Sequence, residues 1–130
     1  MSLNDPLANI LSHMYNSEIM GKKECVVTPI SKLTLSMLEI LKNNGYIGDY
    51  IVTTEARGGM IKVNLLGNIN KCSVVKPRFS FTKKNIESFE KRYLPAKGFG
   101  LFVVTTSKGI MTHKEAMSKN LGGKLLAYCY

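Results

Sequence analysis

The sequence predicts an α+β fold. Segments with helical and strand periodicity alternate irregularly along the 130 residues, and glycine-containing turns join neighbouring strand candidates as hairpins. This irregular mixture favours α+β over a parallel, doubly wound sheet, in which strands and helices alternate regularly. Hydrophobic residues make up 45% of the chain and charged residues 21%, so we expect a globular protein of one domain or two small modules.

Two amphipathic helices and three strands are predicted in the first half of the chain. Asp5 and Pro6 place an N-cap acceptor before a proline at the first helical position, and an apolar face continues to about residue 20. Thr28 and Pro29 repeat this signal and predict the start of a second helix, which Gly45 ends. The strand candidates are 24–28, 46–55 and 60–66, and a hairpin turn at 56–59 joins the last two.

The second half is predicted to be richer in strands. Thr112 and Glu115 have the spacing of a capping box, which predicts a short helix to about residue 120. The apolar run at 99–105 is the strongest strand candidate and is expected to be central in its sheet. A polar segment at 67–72 predicts a seam between two modules, 1–66 and 67–130. The remaining candidates are a strand at 73–75, a helix at 85–93 and a final strand at 124–130 after a turn at 122–123.

The chain is strongly basic, and the charge is unevenly distributed. Its formal net charge is +9, from 18 Lys and Arg against 9 Asp and Glu. Residues 1–70 contain six basic and six acidic residues, whereas residues 71–130 contain twelve basic and three acidic ones, so the whole excess lies in the second part. A basic half beside a neutral half predicts a polyanionic partner, with nucleic acid first and an anionic membrane surface second.

Composition also excludes several classes of protein. No apolar run approaches the roughly 18 residues of a membrane span, and the amino terminus lacks the basic flank of a secretory signal. We therefore expect a cytoplasmic protein without a membrane association. The three cysteines are widely separated and form no CxxC pair, which supports neither a disulfide framework nor a zinc site. They are expected to be packing residues in a reducing cytosol, and we expect no metal and no cofactor.

The sequence shows no catalytic constellation. There is no phosphate-cradling loop, since Gly98 and Gly100 precede a strand and lack a third glycine. His13 and His113 have no cysteine or serine placed beside them and are expected to have surface or capping roles. We therefore expect the protein not to be an enzyme.

One segment, 105–112, combines three consecutive hydroxyl side chains with a glycine between the strongest strand and the capped helix. Small hydroxyls and backbone amides can bond phosphate oxygens, ribose 2′-hydroxyls or the edge of an unstacked base. The same composition also suits an ordinary polar connection, and spacing alone leaves both interpretations open. The residues concerned are Thr105, Thr106, Ser107, Lys108 and Gly109.

The motif TTSKGIMT, followed by HKEA and by a Gly-Gly-Lys triplet before an apolar terminal strand, resembles the carboxy-terminal hallmark of the ribosomal protein S-eight family of the small subunit. The resemblance covers essentially the whole chain. Shorter matches lie at DPLAN and TPISK in the first half. The segments NKC, PRF and LP of the second half resemble the archaeal and eukaryotic branch of the family.

This resemblance implies a structural, RNA-binding constituent of the small ribosomal subunit in the cytoplasm. The family fold is an α/β N-terminal module packed on a β-rich C-terminal module with a short helix. Members bind a helix of the central domain of small-subunit ribosomal RNA early, promote its assembly, and have other small-subunit ribosomal proteins as neighbours; we expect a monomer when free. The implied RNA contacts are Thr105, Thr106, Ser107, Lys108 and Gly109 in the hydroxyl segment, Ser31 and Lys32 as a secondary contact, and Lys124, which can donate to phosphate.

Three alternatives remain at this point. The first is translational autoregulation, in which the protein binds its own messenger at a site that imitates the ribosomal one. The second is a small enzyme that depends on Cys25, Cys72 or Lys108, which requires a thiol or amine with a lowered pKa. The third is a membrane-surface protein, which requires a basic helix with a strong apolar face.

Overall fold

The computed structural model describes residues 6–28, 30–53, 59–96 and 98–130. Internal contacts divide the chain into two compact units, Met1–Asn70 and Lys71–Tyr130, here called unit 1 and unit 2. Each unit contains helices and its own antiparallel sheet, which confirms the predicted α+β class. The expectation that 1–66 and 67–130 form separate modules stays a prediction.

In its described residues, unit 1 contains two helices and a three-stranded antiparallel sheet. The strands follow the order β1-β3-β2, and β3 pairs with both neighbours. Burial alternates strictly along β3, so Ile61, Val63 and Leu65 share one buried face of the sheet. The elements are α1 (Pro6–Ile19), β1 (Glu24–Val27), α2 (Lys32–Asn43), β2 (Ile47–Thr53) and β3 (Met60–Leu65).

The predicted start of α2 is wrong, whereas its predicted end before Gly45 is confirmed. The helix begins at Lys32, because the Ser31 hydroxyl is the cap that accepts the backbone N–H of Thr34 at 3.1 Å. Asn44 caps the other end, and Gly45 follows with a φ of +80°. Helix α1 starts at Pro6 as predicted. Its expected cap Asp5, Pro29 and most of the hairpin turn at 56–59 lie outside the described residues.

The described part of unit 2, residues 71–96 and 98–130, contains two short helices and a five-stranded antiparallel sheet. The order is β4-β8-β6-β7, and β5 pairs with β8 beside β4. Strand β6 has a neighbour on each side, which confirms that the strongest strand candidate lies inside its sheet. The elements are β4 (Cys72–Val74), β5 (Ser80–Phe81), α3 (Ile86–Tyr93), β6 (Leu101–Thr106), β7 (Gly109–Thr112), α4 (His113–Ser118) and β8 (Gly123–Cys129).

The core of unit 2 lies between the sheet and its helices. Ile86 from α3 and Ala116 from α4 are fully buried in one apolar cluster with Phe102 of β6 and Leu125 of β8. The capping box is confirmed, since the Thr112 hydroxyl accepts the backbone N–H of Glu115 at 3.2 Å. Helix α4 begins directly after β7 and packs against β6.

Candidate nucleic-acid interface

The hydroxyl segment forms a hairpin, in which a further strand, β7, lies between the strongest strand and the capped helix. Strand β6 continues to Thr106, and β7 returns from Gly109, which lies directly opposite Thr106. Ser107 and Lys108 are the two residues of the turn. Gly109 has a φ of +115°, a conformation that favours glycine, so this residue allows the chain to reverse so tightly. The sequence missed β7 because its four residues are too short to show a period.

Thr106 stabilises the turn with its side chain. Its hydroxyl donates to the carbonyl oxygen of Gly109 at 2.9 Å and accepts the backbone N–H of Lys108 at 3.1 Å. Both bonds lie within the turn. They provide partners for a backbone carbonyl oxygen and a backbone N–H that would otherwise bond only to solvent. Thr106 therefore shapes the tip of the hairpin, while the side chains beside it remain free to meet a partner.

Thr105 and Lys124 are cross-strand neighbours, although they are distant in sequence. The register places Thr105 opposite Ile110 on β7 and opposite Lys124 on β8. Lys124 is in turn opposite Ser80 on β5. Because directly opposite residues point to the same face of a sheet, these side chains form one row across four strands. The tertiary structure thus brings Lys124 to the hydroxyl segment.

A pair of glycines lets β8 approach its neighbours closely at this end of the sheet. A Cβ atom on Gly123 would overlap the carbonyl oxygen of Thr105, and one on Gly122 would lie 2.9 Å from the carbonyl oxygen of Phe81. Any side chain at either position would therefore push neighbouring strands apart. The two glycines were expected to form a turn; Gly123 instead lies within β8, opposite Thr106.

Ser107, at the tip of the hairpin, is exposed and chemically uncommitted. Among the described residues its hydroxyl has no hydrogen-bond partner, in contrast to that of Thr106. Lys108 and Lys124 are also exposed, and neither ammonium group forms an ion pair within the described part of the chain. The arrangement offers a hydroxyl that can donate and accept, between cations that attract phosphate.

Ser31 and Lys32 lie in unit 1, at the start of α2. The Ser31 hydroxyl accepts the N–H of Thr34 and donates to the Thr34 hydroxyl at 2.9 Å, so both of its functions are used within the chain. Lys32 is the first residue of the helix and is exposed. The structure therefore shows a structural role for Ser31, and an RNA contact by either residue stays a prediction.

A surface or capping role is expected for His113 from the sequence, but its side chain is only 1% exposed, which excludes the surface role. Its Nδ1 accepts the backbone N–H of Phe102 at 3.1 Å, and its Nε2 lies 3.9 Å from a carboxylate oxygen of Glu90. Burial, which is the largest cause, and the charge of the neighbouring Lys114 together lower the pKa of His113 to about 4. The imidazole is therefore neutral at physiological pH and belongs to the core.

The structure contradicts the chemistry that a cysteine enzyme would need. All three thiols are buried, and burial raises the pKa of Cys25 to about 11, the opposite of an activated nucleophile. Among the described residues no group of three or more His, Cys, Asp or Glu side chains could hold a metal ion. In the same part of the chain, no helix has the length and apolar character that crossing a membrane requires.

Fold and site together define an α+β protein whose basic unit presents the free hydroxyl of Ser107 at a hairpin tip, with exposed lysines at Lys108 in the turn and Lys124 on β8. The family model described as Ribosomal protein S8 matches residues 5–130, essentially the whole chain. The chain therefore belongs to this family of small-subunit ribosomal proteins that bind ribosomal RNA. The family is structural and not enzymatic. Assignment to the archaeal and eukaryotic branch stays a prediction.

Proposed function

We propose that this chain binds a helix of the central domain of small-subunit ribosomal RNA and promotes the assembly of that domain. The observation that supports this most directly is the free Ser107 hydroxyl at the tip of the β6–β7 hairpin. Sequence-tolerant contacts to RNA come from cations, whereas contacts to a particular shape require short groups held in place. The Ser107 hydroxyl meets that requirement. The tight turn restricts the backbone, and the short side chain has little conformational entropy to lose on binding.

Each part of the site has its own role in this proposal. Thr105 and Ser107 bond the RNA directly, while Thr106 and Gly109 keep the turn in the conformation that presents them. Lys108 and Lys124 contact phosphates on either side of the tip. Unit 2 contributes long-range attraction through its net charge of +9. Ser31 and Lys32 of unit 1 form the secondary contact.

The alternative of a nucleophilic enzyme receives no support from the structure. Cys25 has a raised pKa and Cys72 is 3% exposed, so neither presents a thiolate to a substrate. Lys108 is exposed on the turn, where nothing desolvates its ammonium group as Schiff-base chemistry requires. RNA binding needs none of these features and uses the residues that the structure leaves available.

The Ser107→Ala variant tests the proposal. In a filter-binding titration with a transcript of the central domain, we expect the affinity to fall by about 1–3 kcal/mol, roughly 5- to 150-fold, since RNA groups lose a partner at a desolvated contact. Ser88→Ala is the matched control, because Ser88 is an exposed serine of unit 2 on α3, away from the hairpin. Equal affinity of the Ser107 and Ser88 variants, with native circular dichroism, would reject the hairpin as the contact.

The assembly role needs a separate readout. Chemical probing of the central-domain RNA should show protections that extend beyond the footprint of the bound protein when the wild-type chain is added. If the RNA bound the protein tightly but its own folding did not change, the binding proposal would stand and the role in assembly would be rejected.

A further inference from the structure

Two of the three cysteines, Cys72 and Cys129, lie directly opposite each other on neighbouring strands of unit 2. The register of β4 and β8 pairs their Cα positions. The next pair outward, Lys71 and Tyr130, exchanges both backbone bonds, since each N–H donates to the other residue's carbonyl oxygen at 2.9 Å. Such pairs alternate along an antiparallel ladder with pairs that exchange none. Cys72 and Cys129 therefore occupy a non-hydrogen-bonded position.

This position has the dimensions that a disulfide needs. Opposite residues at non-hydrogen-bonded positions have Cα atoms about 4.5 Å apart and their side chains on the same face. The Cα separations of disulfides run from about 4.4 to 6.8 Å, so the two thiols can be joined without moving either strand far. Both residues are buried, with exposed fractions of 3% and 1%.

The place of β4 in the sheet gives an oxidant a route to the pair. Strand β4 has three residues and stands at the end of the strand order, and its pairing with β8 extends only one residue further on each side, to Lys71 and Val75. A short edge strand opens locally at a lower free-energy cost than the rest of the sheet. Local opening exposes Cys72, and reclosure returns it to a position opposite Cys129.

We propose that Cys72 and Cys129 form a reversible cross-strand disulfide when the protein meets hydrogen peroxide. The first thiolate attacks a peroxide oxygen, the O–O bond breaks, and a sulfenic acid and hydroxide result. The second thiolate attacks the sulfenic sulfur and displaces its oxygen as hydroxide. With the two thiol protons, both hydroxides leave as water, so the peroxide is reduced by two electrons and the dithiol is oxidised by two.

The bond would join the edge strand covalently to the centre of the sheet. It would lie five residues along β8 from Lys124, or roughly 17 Å at the rise of a strand. The hairpin tip is therefore expected to keep its structure in the oxidised protein. In the reducing cytosol the dithiol form prevails, and small-molecule thiols reverse the reaction after oxidant exposure.

Thiol counting on the full chain tests the proposal. The folded protein is treated with hydrogen peroxide, quenched, unfolded in guanidinium and alkylated with iodoacetamide. We expect three alkylated cysteines per chain before oxidation and one afterwards. The oxidised protein should remain monomeric, because the disulfide is intramolecular. Trypsin cleaves after Lys71 and Lys124, so the linked peptides begin at Cys72 and Leu125 and separate on reduction. Oxidation of the unfolded chain should instead give all three pairings.

Two variants make the assignment specific. Cys25→Ala should still lose all its alkylatable thiols on oxidation, whereas Cys129→Ala should form no intramolecular link. If Cys129→Ala does not fold, the Cys25→Ala measurement decides alone, because it retains both members of the pair. Four results would each overturn the proposal. The disulfide could involve Cys25, or form only between molecules. All three thiols could remain free, or Cys72 could be oxidised to sulfinic acid without forming a disulfide.

Discussion

The backbone N–H of Phe102 donates to Nδ1 of His113 at 3.1 Å, and the two rings meet edge to face with centroids 5.3 Å apart. Strand β7 ends at Thr112, opposite Val103, so Phe102 has no further residue of β7 to pair with. The imidazole of the first residue of α4 takes the place of that missing strand partner. A side chain thus completes the sheet at the point where the chain turns from strand into helix.

The burial of His113 makes stability depend on pH. A donor that points at Nδ1 requires a lone pair there, and burial lowers the pKa of His113 from 6.5 to about 4. Below pH 6.5 the unfolded chain binds a proton that the folded chain rejects, so stability falls as pH decreases through this range and levels off below about pH 4. The contribution of this one group is about 2 kcal/mol between pH 7 and pH 5.

Denaturant unfolding at the two pH values measures the effect. His113→Gln keeps an acceptor for Phe102 but cannot titrate, so its stability should vary with pH by about 2 kcal/mol less than that of the wild type. His13→Gln removes a histidine from an exposed position on α1 and should retain the wild-type loss. A His113→Gln variant with the full loss of stability would contradict the assignment, and carboxylates would then account for it.

Thr106→Val tests the division of roles within the hairpin. The substitution preserves the shape of the side chain and removes the two bonds that its hydroxyl makes with Gly109 and Lys108. We expect the Lys108 amide to exchange with solvent faster, and stability to fall by no more than about 0.5–1.5 kcal/mol, because the turn is exposed. RNA affinity should fall because Ser107 is held less firmly.

Thr106→Ser is the control for this substitution. It restores the hydroxyl without the methyl group, so both the protection of the Lys108 amide and the RNA affinity should recover. If Thr106→Val bound RNA with wild-type affinity although its Lys108 amide exchanged rapidly, the conformation of the turn would not matter for recognition.

Ser31 has a structural role whose loss can be predicted. Ser31→Ala removes the acceptor for the Thr34 N–H and should destabilise the protein by about 0.5–2 kcal/mol. Ser31→Asp restores a capping acceptor and should recover stability, while its negative charge should weaken RNA binding if the position faces phosphate. Thermal unfolding gives the first result and filter binding the second. If Ser31→Asp bound RNA with wild-type affinity, the role of Ser31 would be limited to capping α2.

Lys124 should contribute through a phosphate contact. In a plot of the logarithm of the binding constant against that of the salt concentration, Lys124→Gln should reduce the slope by roughly 0.7–0.9. Lys84→Gln, at a peripheral exposed position, should also reduce the slope, with little change in specificity. Lys42→Gln is the control, since the Lys42 ammonium group lies 3.2 Å from the Asp49 carboxylate. An unchanged slope for Lys124→Gln would remove it from the interface.

Much of the local structure follows from the sequence because the signals act over a few residues. Pro6 begins α1, the Thr112 box begins α4, and the apolar run of β6 is a strand inside its sheet. The start of α2 was misjudged because Thr28-Pro29 and Ser31 offer competing signals three residues apart. Only the φ and ψ angles of Ser31 and its bond to Thr34 show which one caps the helix.

The sequence by itself determined the α+β class, the basic character of residues 71–130 and the family resemblance of the hydroxyl segment. The tertiary structure decided which hydroxyls are free and which already have partners within the protein. Thr106 bonds backbone groups of its own turn, and Ser31 caps α2. It also decided the pairings of Thr105 with Lys124, Phe102 with His113, and Cys72 with Cys129. Strand register sets all three, and register depends on contacts between distant segments that no local pattern encodes.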